Sequence, residues 1–150
     1  MDVNWLASTI GQSVIRRAND FSDSLIANTT LRKEFPELDT TFISQAIAQA
    51  NLRRKLQDRW QIDGAQFLLT EDGLNQATRP QVAHYRAQWI QHHFGNNAKI
   101  IDLTCGLGFD ALAMAQVGLT VQAVELDPVT AECARHNLAS VDAQVTTGDA

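Results

Sequence analysis

The sequence lacks the features that mark secreted, membrane and metal-binding proteins. Its 150 residues include only two cysteines, Cys105 and Cys133, which form neither a disulfide framework nor a CxxC metal site. No stretch approaches the run of about 18 apolar residues that a membrane span needs, and the N-terminus does not have the basic and then apolar pattern of a signal peptide. We therefore expect a cytoplasmic protein with reduced cysteines, no membrane partner and no metal.

Positive charge is also scarce, with 12 Lys and Arg against 17 Asp and Glu and a net charge of -5. The densest basic cluster, residues 53–55 with Arg59 and Trp60, could follow a phosphate backbone, but we expect the solvated face of a helix because Arg and Lys are good helix formers.

His92 and His93 are adjacent and would point about 100° apart on a helix. No Cys or carboxylate is spaced to join them, so they do not indicate a metal site.

Residues 1–80 have a helical pattern and almost no strand signal. Apolar residues recur at helical intervals over 5–15 and again over 42–50. The second of these helices should begin behind Thr40 or Thr41 and run to about Trp60. We expect a helical N-terminal domain over residues 1–80.

Pro80 suits the first turn of a further helix, which Gly95 would end. One side of this helix is apolar and should be buried. It carries Val82, Tyr85, Trp89, Ile90, His93 and Phe94. All three tryptophans, Trp5, Trp60 and Trp89, are expected in the core because each lies on or near such an apolar stripe.

From Ala98 the pattern changes to βαβαβ. The expected strands cover 99–103, 120–126 and 143–147, and the connecting helices cover 108–117 and the stretch that begins at Pro128. Short helical connections between strands imply parallel pairing. The fold class is therefore α/β: a helical N-terminal domain followed, over residues 81–150, by the first half of a Rossmann-like sheet, truncated after the third strand.

Each expected strand ends in a carboxylate or leads to one, namely Asp102, Glu125 and Asp149. Ligands of an open parallel sheet bind outside the carboxyl ends of its strands, so the three acids should line one crevice. Gly106 and Gly108 would let the backbone approach a ligand closely. Glu125 is placed for the two hydroxyls of a ribose, and Asp149 for an adenine amino group. Asp102 could fix the amides of the turn, or reach an amino group of the ligand directly or through water.

The turn at residues 106–111 also satisfies the G-x-G-x-x-A form of the dinucleotide fingerprint, so a nicotinamide or flavin cofactor is an alternative. Against it, Asp110 in the first turn of the following helix would repel a pyrophosphate. S-adenosylmethionine (SAM) has no phosphate and carries a sulfonium and an ammonium group. Acidic residues near the turn would favour these positive groups. We favour SAM and keep an NAD(P)-dependent oxidoreductase domain as the alternative.

Residues 102–108 resemble motif I of class I SAM-dependent methyltransferases, with Thr104 where many members have their first glycine. Residues 124–128 with 134–138 are similar to the next block of that family, and Gly148-Asp149-Ala150 is similar to the acid that recognises adenine. The resemblance implies SAM as cofactor and no catalytic residue in this chain. The implied cofactor contacts are Asp102, Thr104, Gly106, Gly108, Phe109, Asp110, Glu125, Leu126 and Asp149.

The segment 67–78 is similar, more particularly, to bacterial methyltransferases that have a helical N-terminal region and a THUMP-like C-terminal region. Those proteins resemble RNA guanine-N2 methyltransferases, which implies RNA as the substrate and partner. The resemblance covers about residues 65–150. Residues 1–60 contribute only a helical pattern.

Members that methylate amino groups of nucleic acids hold the target nitrogen with an Asn/Asp-Pro-Pro-aromatic motif after the fourth strand. This sequence has only Pro36, Pro80 and Pro128, so we expect a cofactor-binding fragment that is inactive alone. Its strand at 99–103 would be an exposed edge, and the strand stretches 100–101 and 121–126 look apolar on both faces. Pairing with another chain or a homo-oligomer is therefore expected. Outside enzymes, the alternative is a non-catalytic interaction module.

Overall fold

The computed structural model describes all residues from 1 to 150 as eight helices and three strands. They form two compact units, Met1–Leu68 and Leu69–Ala150. The division falls earlier than the predicted domain boundary at residue 80, because the short helix at 71–76 belongs to the second unit, where its Gly73 lies close to Leu107.

The first unit is helical throughout. Its helices are α1 (Val3–Ala7), α2 (Thr9–Ala18), α3 (Ser24–Glu34) and α4 (Thr40–Trp60). Each begins behind a side chain that accepts a hydrogen bond from the free amides of the first turn. These caps are Asp2, Ser8, Asp23 and Asp39. The apolar pattern over residues 5–15 predicted one helix, whereas Ser8 ends α1 and caps α2 and so divides it.

The expectation that the basic cluster of α4 is fully solvated is wrong for Arg53. Its side chain is buried, with Nε donating to the Phe67 carbonyl at 3.0 Å and Nη2 donating to Oε1 of Gln12 at 3.1 Å. Burial lowers the pKa of Arg53 to about 10. A guanidinium tolerates this position because its N–H groups find acceptors there.

The second unit surrounds a parallel sheet, as expected. Its elements are α5 (Glu71–Gln76), α6 (Pro80–Phe94), β1 (Lys99–Asp102), α7 (Phe109–Gln116), β2 (Thr120–Glu125), α8 (Pro128–Asn137) and β3 (Ala143–Thr147). The strand order is β1-β2-β3, and both pairs are parallel. The right-handed crossover rule places α7 and α8 on the same face of the sheet, and that face holds the core.

The other face of the sheet is largely polar. Ile101 of β1 is 61% exposed there, but its neighbours in register are Gln122 of β2 and Gln144 of β3, and both are exposed. The expectation of strands apolar on both faces therefore fails for β2, where Gln122 is exposed. β1 pairs only with β2 and is an edge strand.

Helix α6 is covered on a different side from the one that its apolar pattern predicted. Its buried residues are Ala83 and Ala87, within the core cluster that also holds α7. Small side chains allow two helices to pack closely. The larger apolar residues Val82, Tyr85 and Trp89 are left exposed, so the expectation of a core position is wrong for Trp89.

Gly11 marks a close approach of α2 to α1. A Cβ atom built at Gly11 would lie 2.1 Å from the carbonyl oxygen of Trp5, so one of the two backbones must shift if a side chain is added. We expect Gly11→Ala to lower the free energy of unfolding by about 1 to 3 kcal/mol, measured by urea denaturation. Arg16→Ala, at an exposed position of α2, is the control and should change stability little. A Gly11→Ala variant as stable as the wild type would contradict the close approach.

Candidate functional site

The three predicted acids meet at the carboxyl edge of the sheet. Asp102 and Glu125 are the last residues of β1 and β2, and Asp149 follows the end of β3. All three line one cleft of about 1380 Å³ in the second unit. Parallel strands bring their carboxyl ends to the same edge, which is where ligands of this class of sheet bind.

Glu125 joins the segments that surround the cleft. Its Oε2 accepts a hydrogen bond from the amide of Gly106 at 2.9 Å, and its Oε1 accepts one from the amide of Asp127 at 2.9 Å. Its backbone carbonyl accepts from the amide of Gly148 at 3.0 Å. The turn after β1, the start of α8 and the segment after β3 are therefore all bonded to one residue at the end of the central strand.

The two glycines of the turn have different roles. Gly106 has φ +55° and Gly108 has φ +84°, a region that favours glycine. A Cβ at Gly106 would meet nothing within 4 Å, so the backbone there is open to the cleft. A Cβ at Gly108 would lie 3.0 Å from Cδ1 of Leu138, so Gly108 allows close packing of α7 and α8 instead. The turn is held from below by Asn137, whose Nδ2 donates to the Leu107 carbonyl at 3.0 Å in a buried hydrogen bond.

Asp102 is half-buried at the base of the cleft. Burial raises the pKa of its carboxyl, while a hydrogen bond of 3.2 Å from the amide of Thr104 to Oδ1 acts in the opposite direction. The nearby charges of Asp110 and Glu125 raise the pKa further. Asp102 does fix an amide of the turn, as the sequence suggested.

The thiol of Cys105, which also lines the cleft, is a structural group. Burial, with the charges of Asp102 and Glu125, raises its pKa to about 12. It is therefore a neutral thiol at physiological pH and not an activated nucleophile.

Asp110 forms an ion pair with Arg86 that its sequence position does not predict. Its Oδ1 lies 2.6 Å from Nη1 of Arg86 on α6. This ion pair weakens the argument that Asp110 alone would repel a phosphate. The cleft as a whole should still repel a phosphate, because Arg86 is the only basic residue in its lining. The acidic lining residues are Asp72, Asp102, Asp110, Glu125, Asp127 and Asp149.

Most of the predicted contact residues lie in the cleft. Its lining includes Asp102, Thr104, Gly106, Phe109, Asp110, Glu125, Leu126 and Asp149. Gly108 is outside the lining. Leu126 is 68% exposed and so presents an apolar surface at the cleft.

Sequence reasoning missed one wall of the cleft, formed by residues 70–78. Thr70, Asp72, Gln76 and Thr78 line it, and Oγ1 of Thr70 caps α5 by accepting from the amide of Gly73 at 3.1 Å. A Cβ at Gly73 would lie 2.7 Å from Cγ of Leu107, which brings this wall against the glycine turn. The Thr70-x-x-Gly73 spacing indicates a helix cap, but nothing in it indicates where the helix packs.

No group of three or more His, Cys, Asp or Glu residues is arranged to hold a metal ion. In addition, none of the eight helices combines the length and apolarity that crossing a bilayer requires.

The known proteins to which this chain is similar are described as methyltransferases. Residues 45–149 match the family described as "Putative SAM-dependent methyltransferase". Two relatives from Mycobacterium tuberculosis, strains CDC 1551 / Oshkosh and ATCC 25618 / H37Rv, are named uncharacterized S-adenosylmethionine-dependent methyltransferases. Each is 32% identical over 77 residues, which are 51% of this chain and 20% of the relative.

The fold is also similar to a crystal structure described as a "putative methyltransferase" from Porphyromonas gingivalis W83. The TM-score is 0.62 at 23% sequence identity, and the match covers 75% of this chain and 29% of that chain. The chain therefore spans about a fifth of the length of its curated relatives and less than a third of its structural neighbour.

The open space at Gly106 can be tested with an added methyl group. Gly106→Ala should weaken binding of S-adenosylhomocysteine, measured by isothermal titration calorimetry, by about tenfold or more, since its Cβ would enter the cleft. Gly95→Ala is the matched control, because Gly95 also has positive φ and open space but lies outside the cleft lining. It should lower stability and leave affinity unchanged. Equal affinities of the Gly106→Ala variant and the wild type would contradict this role for Gly106.

Asp102→Asn should raise the melting temperature near neutral pH, because the raised pKa means that the ionised carboxylate is disfavoured in the folded state. The Asn side chain keeps an oxygen that can accept from Thr104. As the pH falls through the raised pKa, the wild type becomes neutral, and the difference should disappear toward a pH of about 4. Thermal unfolding of both proteins across this pH range measures the effect. A constant difference in melting temperature at every pH would contradict it.

Proposed function

This chain belongs to the SAM-dependent methyltransferase family, whose cofactor is S-adenosylmethionine, and on that basis we propose that its cleft binds SAM as methyl donor for the modification of RNA. The family match covers residues 45–149 and includes the whole sheet and its glycine turn. Because the chain spans about a fifth of its curated relatives, methyl transfer itself is part of the proposal.

The observation that carries the proposal is the negative charge of the cleft. Six carboxylates and a single arginine line it, and that arginine is paired with Asp110. SAM carries a sulfonium and an ammonium group against one carboxylate and has no phosphate, so its net positive charge suits the acidic cleft. A dinucleotide would bring a pyrophosphate to the same acids. The match to the methyltransferase family also does not favour the oxidoreductase alternative.

Glu125 is proposed to bind the ribose hydroxyls of SAM. Each of its carboxylate oxygens already accepts one backbone N–H and has a further lone pair to offer. Those two bonds hold the carboxylate in place before a ligand arrives, which lowers the entropy lost on binding. The open backbone at Gly106 would lie beside the ligand, as would Thr104, which also lines the cleft.

Other residues of the cleft lining are proposed to bind the amino-acid and adenine groups of SAM. Asp102 at the base of the cleft is proposed to bind the ammonium group, directly or through water, and Asp149 is proposed to bind the adenine amino group. Phe109 and Leu126 offer apolar surface to flank the adenosine. Asp110 contributes charge through its pair with Arg86, while Gly108 contributes packing.

RNA is the proposed methyl acceptor, with guanine N2 as the class of target atom. Support comes from the resemblance of segment 67–78 to methyltransferases similar to the RNA guanine-N2 type. Part of that segment, from Thr70 to Thr78, forms one wall of the cleft, so the residues that carry the resemblance stand beside the proposed cofactor. Transfer from SAM depends mostly on aligning the acceptor nitrogen behind the sulfonium methyl group.

Ligand-induced thermal stabilisation tests the cofactor. At about 100 times its Kd a bound ligand adds about 2.7 kcal/mol to the stability, so S-adenosylhomocysteine should raise the melting temperature clearly and NADH should not. Glu125→Gln should weaken S-adenosylhomocysteine binding by about 10- to 100-fold, because an amide NH₂ must face either a backbone N–H or the ligand.

Glu132→Gln is the matched control for this experiment. Glu132 lies on α8, is exposed and is outside the cleft lining, so the variant changes the net charge equally. It should bind as the wild type does. Stabilisation by NADH alone, or an unchanged affinity of the Glu125→Gln variant, would overturn the assignment.

A further inference from the structure

Helix α6 exposes an aromatic surface that the proposed cofactor site does not use. Val82, Tyr85 and Trp89 are 45%, 69% and 47% exposed and follow one another at helical spacing on one face. His93, one turn on, stacks on Trp89 with ring centroids 4.1 Å apart. Phe94 meets the same indole edge-on at 6.4 Å and is 67% exposed. We call Val82, Tyr85, Trp89, His93 and Phe94 the α6 stripe.

The segment that carries the α6 stripe has a charge opposite in sign to that of the whole chain. The chain has a net charge of -5, yet no Asp or Glu occurs between Gly73 and Ile101. That interval contains Arg79, Arg86 and Lys99, and also His84, His92 and His93. Arg86 is paired with Asp110, so Arg79 and Lys99 are the charges left to meet a polyanion. Arg79 is exposed immediately before α6. A polyanion can therefore lie along the stripe without meeting a carboxylate of α6.

The α6 stripe also borders the cleft. Arg86 lies one helical turn from both Val82 and Trp89, and it lines the cleft. Ile90, next to Trp89 in the sequence, lines the cleft as well. A strand bound along the stripe would have its neighbouring nucleotides at the cleft mouth.

We propose that the α6 stripe is a docking surface for single-stranded RNA, with bases stacked on Tyr85 and Trp89 and the backbone near Arg79. This inference rests on the proposed RNA substrate and names the surface that would hold it. Aromatic side chains beside basic ones form the usual platform for single strands, because every base has a π-face and every linkage has a negative charge. An aliphatic patch would favour a protein partner, but Val82 is the only aliphatic residue of the stripe.

Fluorescence anisotropy with a labelled single-stranded RNA of about 12 nucleotides tests the proposal. Tyr85→Ala and Trp89→Ala should each raise the Kd about tenfold, as expected for loss of one stacked base. Both side chains are exposed and outside the cleft lining, so the thermal shift with S-adenosylhomocysteine should not change. Leu25→Ala, which truncates a 77% exposed apolar side chain in the first unit, is the control and should bind RNA as the wild type does.

A salt titration adds a second measurement. Arg79→Gln should reduce the slope of log Kd against log salt concentration by about 0.7, the contribution of one phosphate contact to a single strand. Tyr85→Ala should leave that slope unchanged, because stacking releases no counterions.

The outcomes separate this inference from the proposed function. If the wild type binds RNA and the stripe variants bind it equally well, the docking surface is overturned and the RNA substrate stands. If the wild type binds no RNA, both are overturned, while the response to S-adenosylhomocysteine still decides the cofactor. If Trp89→Ala instead converts an oligomer into a monomer in sedimentation and leaves RNA affinity unchanged, the stripe is a protein contact and the inference is wrong.

Discussion

The carboxylate of Glu125 is the group on which the architecture of the site depends. It lies at the end of the central strand and accepts backbone N–H groups from the glycine turn and from the start of α8. Hydrogen bonds to a carboxylate are about twice as strong as those between neutral groups, and these two add to the hydrogen bonds that Asp102 and Asn137 make with the turn. The ends of the segments that surround the cleft therefore meet at one residue of the central strand, β2.

Much of the second unit could be predicted from the sequence. The strands Lys99–Asp102, Thr120–Glu125 and Ala143–Thr147 lie within one residue of the predicted ones at each end, because short apolar runs between helix signals have few other interpretations. The meeting of Asp102, Glu125 and Asp149 followed from the parallel order alone. The ion pair of Arg86 with Asp110 could not be predicted, since it joins residues 24 positions apart through the packing of α6 on α7.

Burial was harder to predict than secondary structure. Trp89 is exposed and Arg53 is buried, the reverse of what their polarity indicates. A helical pattern in the sequence identifies the apolar face of a helix. Which face is buried depends, however, on where a neighbouring helix can approach most closely. In α6 that contact runs through Ala83 and Ala87. In α4 the guanidinium of Arg53 is accommodated by the carbonyl of Phe67, an acceptor supplied by a loop that local sequence does not locate.

The contact between Gly73 and Leu107 joins two walls of the cleft, the segment 70–78 and the glycine turn. There is no space between them for even a single methyl group, and close-packed atoms transmit a displacement instead of absorbing it. A ligand that displaces the turn at 105–108 must therefore also displace α5, and a displacement of α5 must also move the turn. The width of the cleft on this side therefore depends on the packing of Gly73 against Leu107, and a side chain added at position 73 would change it.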